Sequence, residues 1–402
     1  MIFWMMPDNG TLTQRMTEKI LAGFKKHNPG LNITVRVINR RTLWTKMFTL
    51  KHELGRAGCP DIIAFPHYWT NLLVKANLLE NLTELDKSLR VDNCLDPLKP
   101  FCYKKDTVDI YSYPWWMDIT ALHYREDHLK LVSSKPEELL STWRGFLEAC
   151  AMLKDYFNGK EDYFPVQNND LRGSLSYRSS LPCIWGRGGD IFNETCEASG
   201  LGTEAFRLGL QDFIDLAVKG YMPILRERSS NGAISSGKSS MMITRRQGLA
   251  MFEGKEASFK VKTLPVPKTG REHINYLSGV NLGIVRGGAN IGHALELIKW
   301  LTRPEKQIEY ASMTEVFPAL EGSFENFLLA SPHRIQNYAH IIAGARTMSN
   351  HTASGTVMEI LGNIMSKAAS ATVMNRYSGA ILENELKKAD AEVNNILHLY
   401  NE

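Results

Sequence analysis

Cysteine is sparse in this chain. The six thiols, at positions 59, 94, 102, 150, 183 and 196, include no C-x-x-C pair, which removes zinc-finger and thioredoxin-type readings. The close pairs Cys94/Cys102 and Cys183/Cys196 suit disulfides in an exported protein. A chain of 402 residues nevertheless buries enough core to need no staple, so unpaired, partly buried thiols are the expectation. No apolar run reaches the ~18 residues of a membrane span. The opening MIFWMMPDNG has neither a basic n-region nor a small-residue cleavage site, so no signal segment is expected in it. An excess of one charge is also missing: the formal net charge is +4, with no indication of the concentrated basic patch that marks a nucleic-acid binder. H-E-x-x-H, G-x-S-x-G and any His/Cys metal cluster are absent, and neither a metal nor a cofactor is expected.

What is present is an alternation of strands and helices. Residues 1–7 are apolar and end in a turn at Pro7-Asp8-Asn9-Gly10. Leu12, Met16, Ile20, Leu21 and Phe24 mark one helical face, closed by Asn28-Pro29-Gly30. Leu31, Ile33, Val35 and Val37 alternate with polar residues, as in a half-buried strand. A second helix runs through Leu50 towards Gly58. Asp61-Ile62-Ile63-Ala64-Phe65 is a short continuous apolar run, the mark of a strand covered on both faces. This β-α-β-α-β order predicts a largely parallel sheet with helices on both sides. Farther on, helices are predicted around Trp143–Leu153, Phe206–Ala217 (with Gly220 as the residue that ends it), Ala294–Leu301 and Leu382–Leu397.

Several segments then come in a recognisable order: IFWMMPDNG, PDIIAFPHYWTNLLVKANLLENLTELD, YSYPWWMDITALHYRED, STWRGFLEACAML, GRGGDIF, AVKGYMP, SSGKSSMMI, LPVPKTG, YLSGVNLGIV and HALELIKWLTRPEKQIEYA with FPAL after it. In that order they resemble family 1 of the extracellular solute-binding proteins, the maltose-binding-protein type, over nearly the whole chain. The resemblance implies an α/β, periplasmic-binding-protein-like fold of two lobes, each a mainly parallel sheet flanked by helices, with the ligand in a cleft between them. It implies lobe one at residues 1–115 and 261–312, and lobe two at 116–260 and 313–402. It also implies the receptor of an ABC sugar importer: a monomer outside the cytoplasm, lipid-anchored in its precursor, handing a carbohydrate to permease subunits and performing no chemistry.

A pyranose presents hydroxyls at its rim and an apolar C–H face, so its site needs amides, carboxylates or guanidinium groups together with an aromatic ring. Such groups gather where the resemblance puts the cleft. In lobe one they are Asp8 and Asn9 after the first strand, Tyr68 and Trp69 after the third, and Gly279 and Asn281. Trp115, Trp116 and Asp118 stand in the crossover strand; Trp116 and Asp118 share one face and Trp115 takes the other. In lobe two they are Trp185, Arg187, Gly188 and Gly189, with Arg246 beyond the SSMMIT segment. Asp118 is a lone carboxylate in an otherwise apolar strand, where burial is costly without a partner. Clustered arginines, Arg187 with Arg245 and Arg246, would suit an acidic sugar. The cleft-facing aromatic that the family often carries near its C-terminus has no counterpart here, since no Trp, Tyr or Phe occurs between Tyr338 and Tyr377; either the stacking surface comes from elsewhere or the ligand differs from the usual maltose-like glucans.

The stretch from Gly232 to Ser239 satisfies G-x-x-x-x-G-K-[ST]. A phosphate loop needs an apolar strand before it and a helix after it. RERSSN precedes this one, and SSMMITRRQG at its far end reads as a strand, so nucleotide binding is not expected. The rival readings are a glycan-active enzyme and a receptor for a non-sugar solute. The carboxylates Asp8, Asp118 and Asp190 offer no acid/base pair by local spacing, which weighs against the enzyme.

Overall fold

The computed structural model describes residues 1–7, 13–56, 58–168, 175–224, 233–246, 259–331 and 333–401. Asp8 and Asn9 lie outside them. The described strands are β1 (Ile2–Met5), β2 (Thr34–Val37), β3 (Ile62–Pro66), β4 (Tyr113–Arg125), β5 (Met241–Arg245), β6 (Val261–Leu264), β7 (Asn275–Ile284), β8 (Phe317–Pro318) and β9 (Ala345–Arg346). The chain forms two compact units. Unit 1 is Met1–Asp118, Leu277–Ser331 and Thr347–Gly355; unit 2 is Ile119–Tyr276, Pro332–Arg346 and Thr356–Glu402.

In unit 1 the first three strands keep the order read from the sequence, with β1 pairing in parallel with both β2 and β3. The helix Thr13–His27 buries Thr17, Ile20, Leu21 and Phe24, a spacing that puts all four on one face, and Thr17 Oγ1 donates to Met5 Sδ of β1 at 3.3 Å. The buried Asp61 carboxylate accepts from the Ile2 amide at 2.7 Å and from the Asn290 amide and side chain at 3.1 Å each. It thereby ties the start of β1 to the start of the helix Ile291–Leu301.

Beyond β3 the pairing departs from the expected parallel arrangement. β7 runs antiparallel to β3, with Phe65 opposite Asn281, and β8 runs antiparallel to Trp116–Met117 of β4. Buried Gln307 holds that corner. Its Nε2 donates to the Pro114 carbonyl at 3.0 Å, and its Oε1 accepts from the Ala319 and Leu320 amides at 2.8 and 3.1 Å.

In unit 2 the C-terminal half of β4 pairs antiparallel with β5 and β6, while β9 runs parallel to Asn275–Tyr276. The helices Tyr177–Gly186 and Glu204–Val218 meet at Gly209, where an added Cβ would lie 2.4 Å from Ile184 Cα. The second of these helices ends as read from the sequence, with Gly220 at φ +66°, a conformation glycine adopts without penalty.

The pairing also shows where two segments belong. Residues 261–276, expected in lobe one, fall in unit 2 because β6 pairs with Leu122–Arg125. Residues 313–331, expected in lobe two, fall in unit 1 because β8 and Gln307 fix them to the first half of β4. No disulfide joins any of the six cysteines. No helix among the described residues is long and apolar enough to cross a membrane.

Candidate ligand-binding site

Every residue of β3 is buried, so the polar and aromatic groups after it emerge at the strand's carboxyl end, where ligand groups collect in open α/β sheets. His67–Trp69 makes one turn and enters the helix Thr70–Lys75. A buried hydrogen-bond network holds that turn. His67 Nδ1 lies 3.0 Å from the Gly279 carbonyl and 2.9 Å from its amide nitrogen. Thr70 Oγ1 donates to the His67 carbonyl at 2.9 Å and lies 3.1 Å from Ser112 Oγ. Ser112 Oγ donates to the Phe101 carbonyl at 3.0 Å. Asn281 Nδ2 donates to that same carbonyl at 3.0 Å and to Ser112 Oγ at 2.9 Å. Burial pushes the His67 imidazole down to about 4, against the raising effect of its Gly279 bond; the ring is therefore neutral at pH 7. Four buried polar atoms at or beside this network have no hydrogen-bond partner among the described residues: His67 Nε2, Trp69 Nε1, Trp116 Nε1 and Asn281 Oδ1.

Of the residues expected in unit 1, the structure brings together Tyr68, Trp69, Gly279 and Asn281, with Trp116 beside them. Tyr68 meets the His67 ring edge-on at 5.4 Å. A Cβ on Gly279 would come within 2.9 Å of Leu98 Cδ2 and 3.5 Å of the Trp116 carbonyl oxygen, so this glycine admits close packing of β7. Asp118 is fully buried. Trp69 is fully buried too and lies behind Trp44, ring centroids 5.0 Å apart. Trp115 stands apart from the group: it is stacked on Tyr310 at 4.3 Å and lies 5.9 Å from Phe3, inside the core of unit 1.

In unit 2 Trp185, Gly188 and Gly189 sit together, but Trp185 is not an open platform. Its indole N–H donates to Asp190 at 2.9 Å, and the Arg346 guanidinium lies 4.8 Å over its ring and pairs with Asp190 in turn. Arg187 turns to Asp212, with contacts of 2.7 and 3.1 Å, and that carboxylate raises its pKa. Gly188 takes φ +84°. Gly189 packs against the Phe206 backbone, 2.6 Å from where a Cβ would be. Arg246 is buried. The described part of the phosphate-loop-like stretch, 233–239, is a turn that leads into β5, and Lys238 pairs with Asp162 at 3.7 Å.

Four residues of these two groups are not marked as site residues by the sequence: Trp44, Thr70, Ser112 and Arg346. Trp44 carries a signal all the same, since it and Phe48 form an i,i+4 aromatic pair beside the buried stripe Leu43, Met47 and Leu50. Thr70, Ser112 and Arg346 reach their partners across long stretches of chain, and no local pattern marks them.

Compared with known proteins, residues 19–341 match the model of the bacterial extracellular solute-binding protein family. Among curated proteins, none is similar enough to count as a match. Solved structures similar over nearly all of both chains include a solute-binding protein of Thermotoga lettingae bound with α-D-tagatose, at 16% identity and a TM-score of 0.80, covering 98% of this chain and 99% of that one. A Listeria monocytogenes substrate-binding protein in complex with cycloalternan gives 15% and 0.80, covering 99% and 98%. Maltose-bound T. maritima MalE3 gives 18% and 0.79, covering 98% and 100%. These likenesses give the fold, and the family match extends over most of the chain. The protein belongs to the bacterial extracellular solute-binding protein family.

Proposed function

We propose that this protein is the extracytoplasmic receptor of an ABC importer and that its solute is a carbohydrate, in particular an oligosaccharide, which it binds and releases unchanged. The observation that carries the reading is the group at the carboxyl end of β3. Tyr68, Trp116 and Asn281 are gathered there with Trp69 behind them, with indole donors and an amide acceptor that no described residue satisfies. Sugars call for this combination of flat apolar rings with donors and acceptors. Family membership supports the receptor role, and the tagatose-, cycloalternan- and maltose-bound relatives support the solute class. Permease subunits are the proposed partners, with the receptor acting as a monomer held to the membrane by a lipid anchor on its precursor.

A thermal-shift screen of neutral oligosaccharides, uronates, peptides and polyamines tests this, because a ligand that binds the native state raises its melting temperature by mass action. Stabilisation by oligosaccharides and not by peptides or polyamines is expected. Stabilisation by a peptide or polyamine alone would replace the sugar reading with another solute.

A further inference from the structure

We infer that Trp44 and Phe48, on the helix Arg40–Leu50, form an outer stacking surface for the far units of a bound oligosaccharide; this rests on the carbohydrate reading above. The helix buries Leu43, Met47 and Leu50. Trp44 and Phe48 flank that stripe, one turn apart, and meet edge to face at 5.1 Å and 85°. Trp44 in turn meets Trp69 at 5.0 Å and 54°. The three rings form a ladder that begins at fully buried Trp69, passes through partly exposed Trp44, and ends at Phe48, which is 57% exposed.

Gly355 makes the inner step possible. A Cβ there would stand 2.9 Å from the Trp44 ring and 3.1 Å from the Trp69 ring, so any side chain would part them. Arg41 and Thr45, both exposed on the same helix, stand within a turn of the two outer rings and offer hydrogen-bonding groups to a hydroxyl rim. Two rings are far too small a patch for a stable protein partner, which needs about 800 Å² from each side. They suit the C–H faces of successive sugar units, and they continue outward from the β3 site. Trp69, with its ring covered, backs the surface; Trp44 and Phe48 present it.

The test is calorimetric titration of α-1,4- and β-1,4-linked glucose oligomers, from disaccharide to hexasaccharide, against wild type, Phe48→Ala and Trp44→Ala. Phe48 is exposed, so its variant keeps the fold, and a melting curve verifies this. In the wild type, affinity should rise with length. Phe48→Ala should weaken the hexasaccharide by about tenfold, the scale of one aromatic contact, and leave the disaccharide nearly unchanged. A loss equal at all lengths, or no loss in either variant, overturns the inference while leaving the carbohydrate reading standing. Failure of the wild type to bind any oligomer of either series overturns the inference for these glucans and leaves the carbohydrate reading to the wider screen above.

Discussion

His67 and Gly279 meet across 212 residues of chain, with the imidazole Nδ1 within hydrogen-bonding distance of both the amide nitrogen and the carbonyl oxygen of the glycine. A neutral ring uses one of these contacts at a time, accepting from the amide in one tautomer and donating to the carbonyl in the other. Either way the end of β3 is pinned to β7, and with it the turn that carries Tyr68 and Trp69.

That contact has a pH consequence. Burial holds folded His67 at about 4, against an ordinary value of 6.5. Between those values the unfolded chain binds a proton that the folded ring refuses. Stability fully present above pH 6.5 is therefore lost as pH falls towards 4, by about 3 kcal/mol for this ring. His123, His128 and His351 are shifted the same way by burial and add to the slope. Urea unfolding should give a lower free energy at pH 5 than at pH 7, and His67→Asn should flatten the dependence. Stability that stays level across this range contradicts the assignment.

Gln307 joins three backbone groups, so Gln307→Leu leaves two amides and a carbonyl buried without partners. The cost should be about 3 kcal/mol or more, read as a lower urea midpoint. A midpoint within error of wild type would mean that those groups find water or other partners.

Gly209→Ala tests the packing of unit 2. The new methyl would lie 2.4 Å from Ile184 Cα and 2.7 Å from the Cys183 carbonyl oxygen, both backbone atoms, so the two helices must separate. Overpacking of this kind costs about 1–3 kcal/mol. Thermal melts should show it, whereas an unchanged melting temperature would mean that the helices are looser than described.

Arg187 pairs with Asp212, and we propose that this pairing keeps it from selecting acidic ligands. Arg187→Ala should therefore leave the ratio of affinities for matched neutral and uronic-acid oligosaccharides unchanged at low salt. A selective loss of the acidic ligand would restore the role that the sequence suggests for this arginine.

Much of the framework is legible in the sequence because it is written in local periods. The strand–helix alternation up to Pro66, the C-terminal helix and the stop at Gly220 all come from spacing over a few residues. The antiparallel entry of β7 and the pairing of β8 with Trp116 are set by contacts between distant segments, which is why 261–276 and 313–331 sit in the unit opposite to the one expected. The candidate site shows the same limit. Trp115 and Trp185 look like platforms in the sequence, yet Tyr310 covers the first and Arg346 the second. Trp44 does not stand out as a site residue because it lies on a helix rather than at a strand end, although its i,i+4 partner Phe48 is in plain view.

We propose that this chain binds a sugar and returns it intact. Calorimetric titration of the purified protein with neutral oligosaccharides, and then chromatography of the recovered ligand, tests it most directly. Saturable binding at one site per chain and a sugar recovered at its original length are expected. Shortened or modified products would make the protein an enzyme, and no binding by any oligosaccharide that the screen includes would contradict the claim outright.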